Sequence, residues 1–210
     1  MNLRILLIDD HAVVRIGLMQ IIKDEFINAE IIEADSAEEA LKIIRHGEFD
    51  LIISDISMSG RSGIDLVKQL HDEYPTLPVL ILSMHQENQY AVRALKAGAS
   101  GYLSKDSVSY ELIKAMKQVL SGRRYISDVV GELLAGNFLN KNTEFQHQLL
   151  SNREFEVLKL IGSGKSISEI SNELSLSVNT ISTYRLRIME KMKLQTNADI
   201  IRYVIEHELV

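Results

Sequence analysis

From Asn2 to Leu120, short and almost wholly apolar runs alternate with stretches in which apolar residues recur every three or four positions. The short runs cover residues 4–8, 30–34, 50–54, 79–82 and 101–104. Apolar runs of this length, bounded by turn residues, predict buried strands of a parallel sheet. The longer stretches predict helices. The first covers 11–25, with Val13, Val14, Ile16, Leu18, Ile21 and Ile22 as its apolar face. Ser36 caps a second helix through Arg45, with Glu39 completing a capping box and Gly47 ending it. A third spans 62–74 and stops before Pro75. A fourth spans 86–96, beginning at Gln86 and ending at Gly98, and a fifth spans 108–120, ending at Gly122. Five strands, each followed by a helix, predict an α/β doubly wound sheet of strand order 2-1-3-4-5, with its site beyond the carboxyl ends of the strands.

Beyond Ser121 the pattern breaks. Arg123 and Arg124 precede a short amphipathic stretch over 129–134, and residues 136–143 are polar and without period. This reads as a linker with one short helix, its Phe138 and Phe145 packing on a domain surface. The strand pattern does not return. Ser151 and Glu154 form a capping box that opens a helix carrying Phe155, Val157, Leu158 and Ile161. Ser166 opens a short helix with Ile167, Ile170 and Leu174, and residues 175–177 make a tight turn. Residues 179–193 follow as a longer helix with Ile181, Ile188 and Met192 facing inward, then a last helix over 197–208. Short helix, tight turn and longer helix are the helix-turn-helix signature. The expected division is a first domain at 1–121, a linker at 122–147 and a small all-α domain at 148–210.

Composition narrows the classes. A chain of 210 residues with 46% hydrophobic and 25% charged residues suits one or two globular domains. No apolar run approaches the ~20 residues that span a bilayer, and the first residues lead into a strand without a signal-peptide pattern. With no cysteine, disulfides and thiolate chemistry are excluded, which fits a cytoplasmic location. The net charge of −6 argues against indiscriminate nucleic-acid binding by the whole chain but leaves room for a local basic surface. Gly162-Ser163-Gly164-Lys165-Ser166 imitates the tail of a phosphate-binding loop. That loop needs a glycine where this chain has Lys159, and a preceding strand where this chain predicts a helix.

The strand ends carry the chemistry. Asp9 and Asp10 follow the first strand, Asp55 ends the third, Ser83 the fourth, and Lys105 follows the fifth. Singly these read as a helix cap, a turn residue and a surface lysine. Jointly they bring three carboxylates, a hydroxyl and an ammonium to one edge. Carboxylates held that close call for a cation, and Mg²⁺ takes oxygen ligands and phosphate oxygens. The site therefore suits metal-assisted phosphoryl chemistry with one carboxylate as nucleophile. His11 reads better as the residue opening the first helix than as a ligand, since Mg²⁺ prefers oxygen. In the last domain, the outer face of the longer helix carries Ser182, Thr183, Arg185, Leu186, Arg187, Lys191 and Lys193, opposed by Glu190, with Asn179 and Thr180 at its start. Cations there neutralise phosphates, and polar groups near the helix start reach base edges. A merely solvated face mixes its charges more evenly.

On these residues the chain from Asn2 to Leu120 resembles a bacterial response-regulator receiver domain, which has a flavodoxin-like fold. Asp9 and Asp10 match the acidic pair, Asp55 the phosphoacceptor, Ser83 the switch hydroxyl, Tyr102 the switch aromatic and Lys105 the invariant lysine. Ser59 and Asp106 stand where prolines are usual. Residues 149–210 resemble the LuxR-type helix-turn-helix domain through Leu150 to Glu154, Ile167 to Ser171, and Asn179 to Arg185 continuing to Lys191-Met192. Tyr184 replaces a frequent histidine, and Leu186 stands where some relatives carry lysine. Together the domains resemble the NarL/FixJ family of response regulators. The resemblance implies a sensor histidine kinase that phosphorylates Asp55. It implies Mg²⁺ held by Asp10 and Asp55 with help from Asp9 and the Ser57 carbonyl, and phosphoryl oxygens held by Lys105 and Ser83. It further implies a switch in which Ser83 moves and Tyr102 turns inward. The output it implies is release or dimerisation of the DNA-binding domain, a homodimer then binding promoter half-sites through the outer face of the longer helix, with no membrane association. The alternatives are a phosphorylation-independent regulator and a metal-dependent aspartyl phosphohydrolase. The latter pattern places a second aspartate two residues after the nucleophile, where this chain has Ser57.

Overall fold

The computed structural model describes residues 3–58, 60–84, 87–139 and 145–210. Met1, Asn2, Ser59, His85, Gln86 and residues 140–144, the latter part of the expected linker, lie outside them. The chain divides into two compact units, residues 1–138 and 139–210.

In the first unit, β1 (Arg4–Ile8), β2 (Glu30–Ala34), β3 (Leu51–Asp55), β4 (Val79–Ser83) and β5 (Gly101–Ser104) form a parallel sheet of order β2-β1-β3-β4-β5. Between them run α1 (Ala12–Glu25), α2 (Ala37–Ile44), α3 (Gly63–Glu73) and α4 (Glu87–Lys96), with α5 (Val108–Leu120) after β5. Strands β1, β3 and β4 are inner strands covered on both faces, which is why residues 5–8, 51–53 and 79–82 are uniformly apolar and buried. At the sheet edge, β2 is less covered, with Glu30 and Glu33 exposed and Ile31 and Ile32 half-buried.

Two local expectations are corrected. The buried face of α1 carries Leu18 and Ile22, with Val14 and Ile21 partly covered, while Val13 and Ile16 are 83% and 62% exposed. Positions 14, 18, 21 and 22 share one stripe at helical spacing, and Val13 and Ile16 fall on the opposite side. At α2, Ser36 Oγ accepts from Glu39 N, but the Glu39 carboxylate takes the amide of Asp35 rather than that of Ser36. The capping box is therefore half formed.

The stretch after α5 differs from the linker reading. Tyr125 is 3% exposed and belongs to the hydrophobic core of the first unit. Its amide donates to the Ser100 carbonyl at 2.9 Å, and it bridges Gly101 in parallel fashion. A Cβ on Gly101 would lie 2.9 Å from the Tyr125 Cβ, so glycine there lets the two backbones approach. Helix α6 (Asp128–Leu139) then covers both the expected short helix and residues 136–139, which lack a helical period in the sequence.

In the second unit, a single 3₁₀ turn (Gln146–Leu149) precedes α7 (Asn152–Gly162), α8 (Ile167–Glu173), α9 (Val178–Met192) and α10 (Asn197–Glu206). Full capping boxes open α7, α8 and α10, and Ser177 caps α9. Helix α9 packs on α7 and α8, and α10 packs on α7. Ser175 adopts a left-handed conformation in the turn between α8 and α9, and the Ser171 hydroxyl donates to the Leu176 carbonyl at 2.6 Å, tying that turn to α8. Phe145 stacks on the His147 ring and meets His207 edge-on.

Candidate functional site

Register explains why the strand ends converge. Ile8 pairs with Ser54, Asp55 with Leu82 and Ser83 with Ser104. The residues that end or follow these strands therefore share one edge: Asp9 and Asp10, Asp55, Ser83 and Lys105.

Each buried carboxylate is held by both oxygens. Asp9 accepts the His11 amide at 2.8 Å on Oδ1 and the Lys105 ammonium at 2.7 Å on Oδ2. Asp55 accepts the Ile56 amide at 2.8 Å on Oδ1 and faces Lys105 Nζ at 3.0 Å through Oδ2. Burial raises the Asp55 pKa to about 6; Lys105 pulls it down, and the Asp9 charge adds to the rise. For Lys105, burial disfavours the charged form, but attraction to Asp55 and Asp9 outweighs it and the net direction is upward. Lys105 thus persists as an ammonium clamped between two carboxylates.

Asp9, Asp10, His11 and Asp55 each offer a ligand atom, and those atoms lie within 4.8 Å of one another. Of the three carboxylates in this cluster, Lys105 pairs with two, Asp9 and Asp55, and the negative charge left over favours a cation. The cluster is able to hold a metal ion, and its mainly oxygen donor set fits a hard divalent one. Ser57 lies in the bend after β3, half-buried, two residues beyond Asp55. His11 occupies the N-cap position of α1 but makes no side-chain cap; its Nδ1 lies 2.8 Å from Asp10 Oδ1 and 3.3 Å from Asp9 Oδ1. Arg15 adds a bond from its guanidinium to the Asp9 carbonyl at 2.6 Å, a contact with no signal in the sequence. Ser83 is fully buried at the end of β4, and Tyr102 is 1% exposed on β5. The Tyr102 ring already lies inside, so the expected inward turn is not a movement this state has still to make.

On α9 the candidate residues separate into two groups. Asn179, Thr183, Leu186 and Arg187 are exposed. Thr180 and Arg185, half-buried, and Lys191, itself exposed, make contacts within the unit. Thr180 Oγ1 lies 2.8 Å from Ser177 Oγ, Arg185 Nε donates to Asn197 Oδ1 at 2.6 Å, and Lys191 Nζ donates to Glu154 Oε2 at 2.6 Å. Ser182 is half-buried. Glu154 is buried and also closes the α7 capping box on the Ser151 amide. Burial raises its pKa, but bonds from Lys191 and Ser151 outweigh that and hold the carboxyl below the usual range. The Glu154–Lys191 pair spans 37 residues of sequence, so no local pattern could announce it.

Comparison with known proteins agrees with this geometry. The response regulator receiver domain family matches residues 5–117, and the family described as bacterial regulatory proteins, luxR family, matches 148–204. Response regulator UvrY of Escherichia coli K12 is 32% identical over 208 residues, covering 99% of this chain and 95% of that protein. Response regulator GacA of Pseudomonas viridiflava is 32% identical over 209 residues, covering 99% and 98%. Among solved structures, the response regulator ChrA of a heme-sensing two-component system is 29% identical with a TM-score of 0.52, covering 100% of this chain and 99% of that one. The RcsB–DNA complex is 23% identical with a TM-score of 0.59, covering 97% and 98%, a likeness of fold. With a receiver fold carrying its acidic edge and a luxR-family helical unit behind it, the chain belongs to the NarL/FixJ family of two-component response regulators.

Proposed function

We propose that this chain is a cytoplasmic, phosphorylation-dependent, DNA-binding transcription regulator that takes a phosphoryl group on Asp55 from a sensor histidine kinase. The observation that carries this reading is the clamp on Asp55: one carboxylate oxygen fixed by the Ile56 amide, the other facing Lys105, beside Asp9 and Asp10. In the transfer, a bond forms between an Asp55 oxygen and phosphorus while the bond from phosphorus to the donor's imidazole nitrogen breaks. Asp10 and Asp55, with Asp9 and the Ser57 carbonyl, would hold Mg²⁺, which supplies positive charge against the phosphoryl oxygens. Lys105 exchanges its contact with Asp55 for a phosphoryl oxygen, and the Ser83 hydroxyl donates to another. Tyr102, already inside, is then retained there, which holds the face formed by α4, β5 and α5 in one state. The chain catalyses its own modification and releases no product, so it is not a turnover enzyme. Aspartyl phosphohydrolysis is not favoured, because Ser57 supplies no acid two residues beyond Asp55.

The output reading is a homodimer on paired half-sites. Anisotropy with the full chain tests it on a two-half-site and a single-half-site duplex, each with and without a small acyl phosphate and Mg²⁺. Phosphorylation is expected to strengthen binding to the paired site by at least about ten-fold more than to the single one, since a dimer is rewarded only there. Equal gains on both would replace dimerisation with release of an inhibited unit.

The α9 contacts give a sharper expectation. Arg187→Ala should lower the slope of log affinity against log salt by about one, as for a lost phosphate contact. Lys191→Met should weaken binding while leaving that slope at the wild-type value. It should also cost about 1–3 kcal/mol of stability, because Glu154 is left buried without its cation. A reduced slope for Lys191→Met, in a salt titration, would return Lys191 to the phosphate-contacting set.

A further inference from the structure

Helix α9 turns one stripe directly away from the core. Asn179, Thr183, Leu186 and Glu190, spaced i, i+4, i+7 and i+11, line it opposite the fully buried Ile181 and Ile188. Three of the four are polar, and the fourth, Leu186, is 62% exposed at the stripe's middle. The Thr183 hydroxyl donates to the Asn179 carbonyl at 2.8 Å. Its proton is committed to the helix, so toward a partner Thr183 offers acceptor lone pairs and a methyl group rather than a donor. The middle of this stripe therefore lacks the donors that recognise guanine O6 and N7. It presents an isobutyl group and a methyl group instead. Among the base edges of the major groove, the one apolar group is the 5-methyl of thymine. The flanking charge is supplied by the exposed Arg187, placed for the phosphates beside that groove.

Resting on the DNA-binding reading of the second unit, we infer that Leu186 is a specificity-determining residue that reads a thymine in each half-site through its 5-methyl group. Burial of one methyl group against Leu186 sets the size of the effect at about four-fold in affinity. Because the contact involves no hydrogen bond, deoxyuridine, which differs from thymidine by that methyl alone, is the discriminating probe.

The experiment uses the full chain with a small acyl phosphate and Mg²⁺. Bound duplexes are selected from a random library, and each thymine of the selected half-site is then replaced in turn by deoxyuridine, with affinity read by anisotropy. One thymine is expected whose replacement weakens the wild type about four-fold and costs Leu186→Ala nothing further. Leu186→Lys is expected to select guanine at that same position, because an ammonium there donates to O6 and N7. The inference is overturned if every deoxyuridine duplex binds the wild type as tightly as its parent, or if the loss persists undiminished in Leu186→Ala. Selection of no duplex at all would instead remove the DNA-binding reading, and this inference with it.

Discussion

Carrying Asp55→Asn, the chain is expected to take up no phosphoryl group from a small acyl phosphate and Mg²⁺, where the wild type is expected to gain one. An amide is not a competent nucleophile, and the buried Asp9 is not placed to replace it, since both its oxygens are engaged, by the His11 amide and by Lys105. Intact mass reports the outcome, and undiminished labelling would move the acceptor away from Asp55. The same variant should be more stable than the wild type when metal is absent. Burial raises the Asp55 pKa from 3.8 to about 6, so ionising this group opposes folding. The penalty is absent below about pH 4, grows as pH rises through the interval to 6, and is fully present above it. Removing the charge should stabilise the protein at pH 8 by about 1–3 kcal/mol, with the advantage shrinking toward pH 4. Thermal unfolding in chelator, run at both ends of that interval, measures it. A variant that melts below the wild type at pH 8 would show that the Lys105 contact outweighs burial.

Gly63→Ala has the next largest effect. A Cβ at Gly63 would lie 2.0 Å from the Asp55 carbonyl oxygen and 3.0 Å from the Ile56 Cα. Both obstacles are backbone, and the Gly63 amide is itself bonded to the Ile56 carbonyl at 2.9 Å. Neither side can rotate away, so the start of α3 or the end of β3 must shift. Overpacking against backbone costs about 3 kcal/mol. The shift also displaces Asp55 from the Ile56 amide and Lys105, and a misplacement of that order lowers the phosphorylation rate by about 100-fold. Gly17→Ala is the control. Its Cβ meets nothing within 4 Å, and it sits inside α1, so it should stabilise by about 0.5–1 kcal/mol. Urea unfolding and labelling rates for the pair decide the matter; a Gly63→Ala protein with wild-type values in both would mean the loop accommodates the methyl.

The parts of this molecule that sequence revealed are those governed by local rules. Uniformly apolar runs mark β1, β3 and β4 because both faces are covered, and the carboxyl-edge rule then gathers Asp9, Asp10, Asp55, Ser83 and Lys105 without knowledge of register. The capping boxes at Ser151 and the start signal at Ser166 follow from spacing alone. What was misread depends on neighbours remote in sequence. Val13 and Ile16 look like core because they are apolar, yet the side of α1 that faces the sheet is chosen by Leu18 and Ile22. The partner of Lys191 is likewise invisible locally: its ammonium, 41% exposed on α9, bonds to Glu154, 37 residues earlier. Tyr125 carries no period at all, and its place in the core is set by β5, more than twenty residues earlier in the chain.

That placement of Tyr125 bears on how the first unit meets other copies of itself. In the sheet, β5 is a terminal strand, and a strand in that position offers unpaired amides and carbonyls as a template for addition of another strand. By taking the Ser100 carbonyl and covering Gly101, the segment leading to Tyr125 caps the start of that strand. A fragment ended at Ser121 would keep every phosphoryl-handling residue while baring both the template and the apolar hollow beneath the missing ring. Its self-association would then report exposed strand edge rather than signalling, and dimerisation measured on such a fragment would be the wrong quantity.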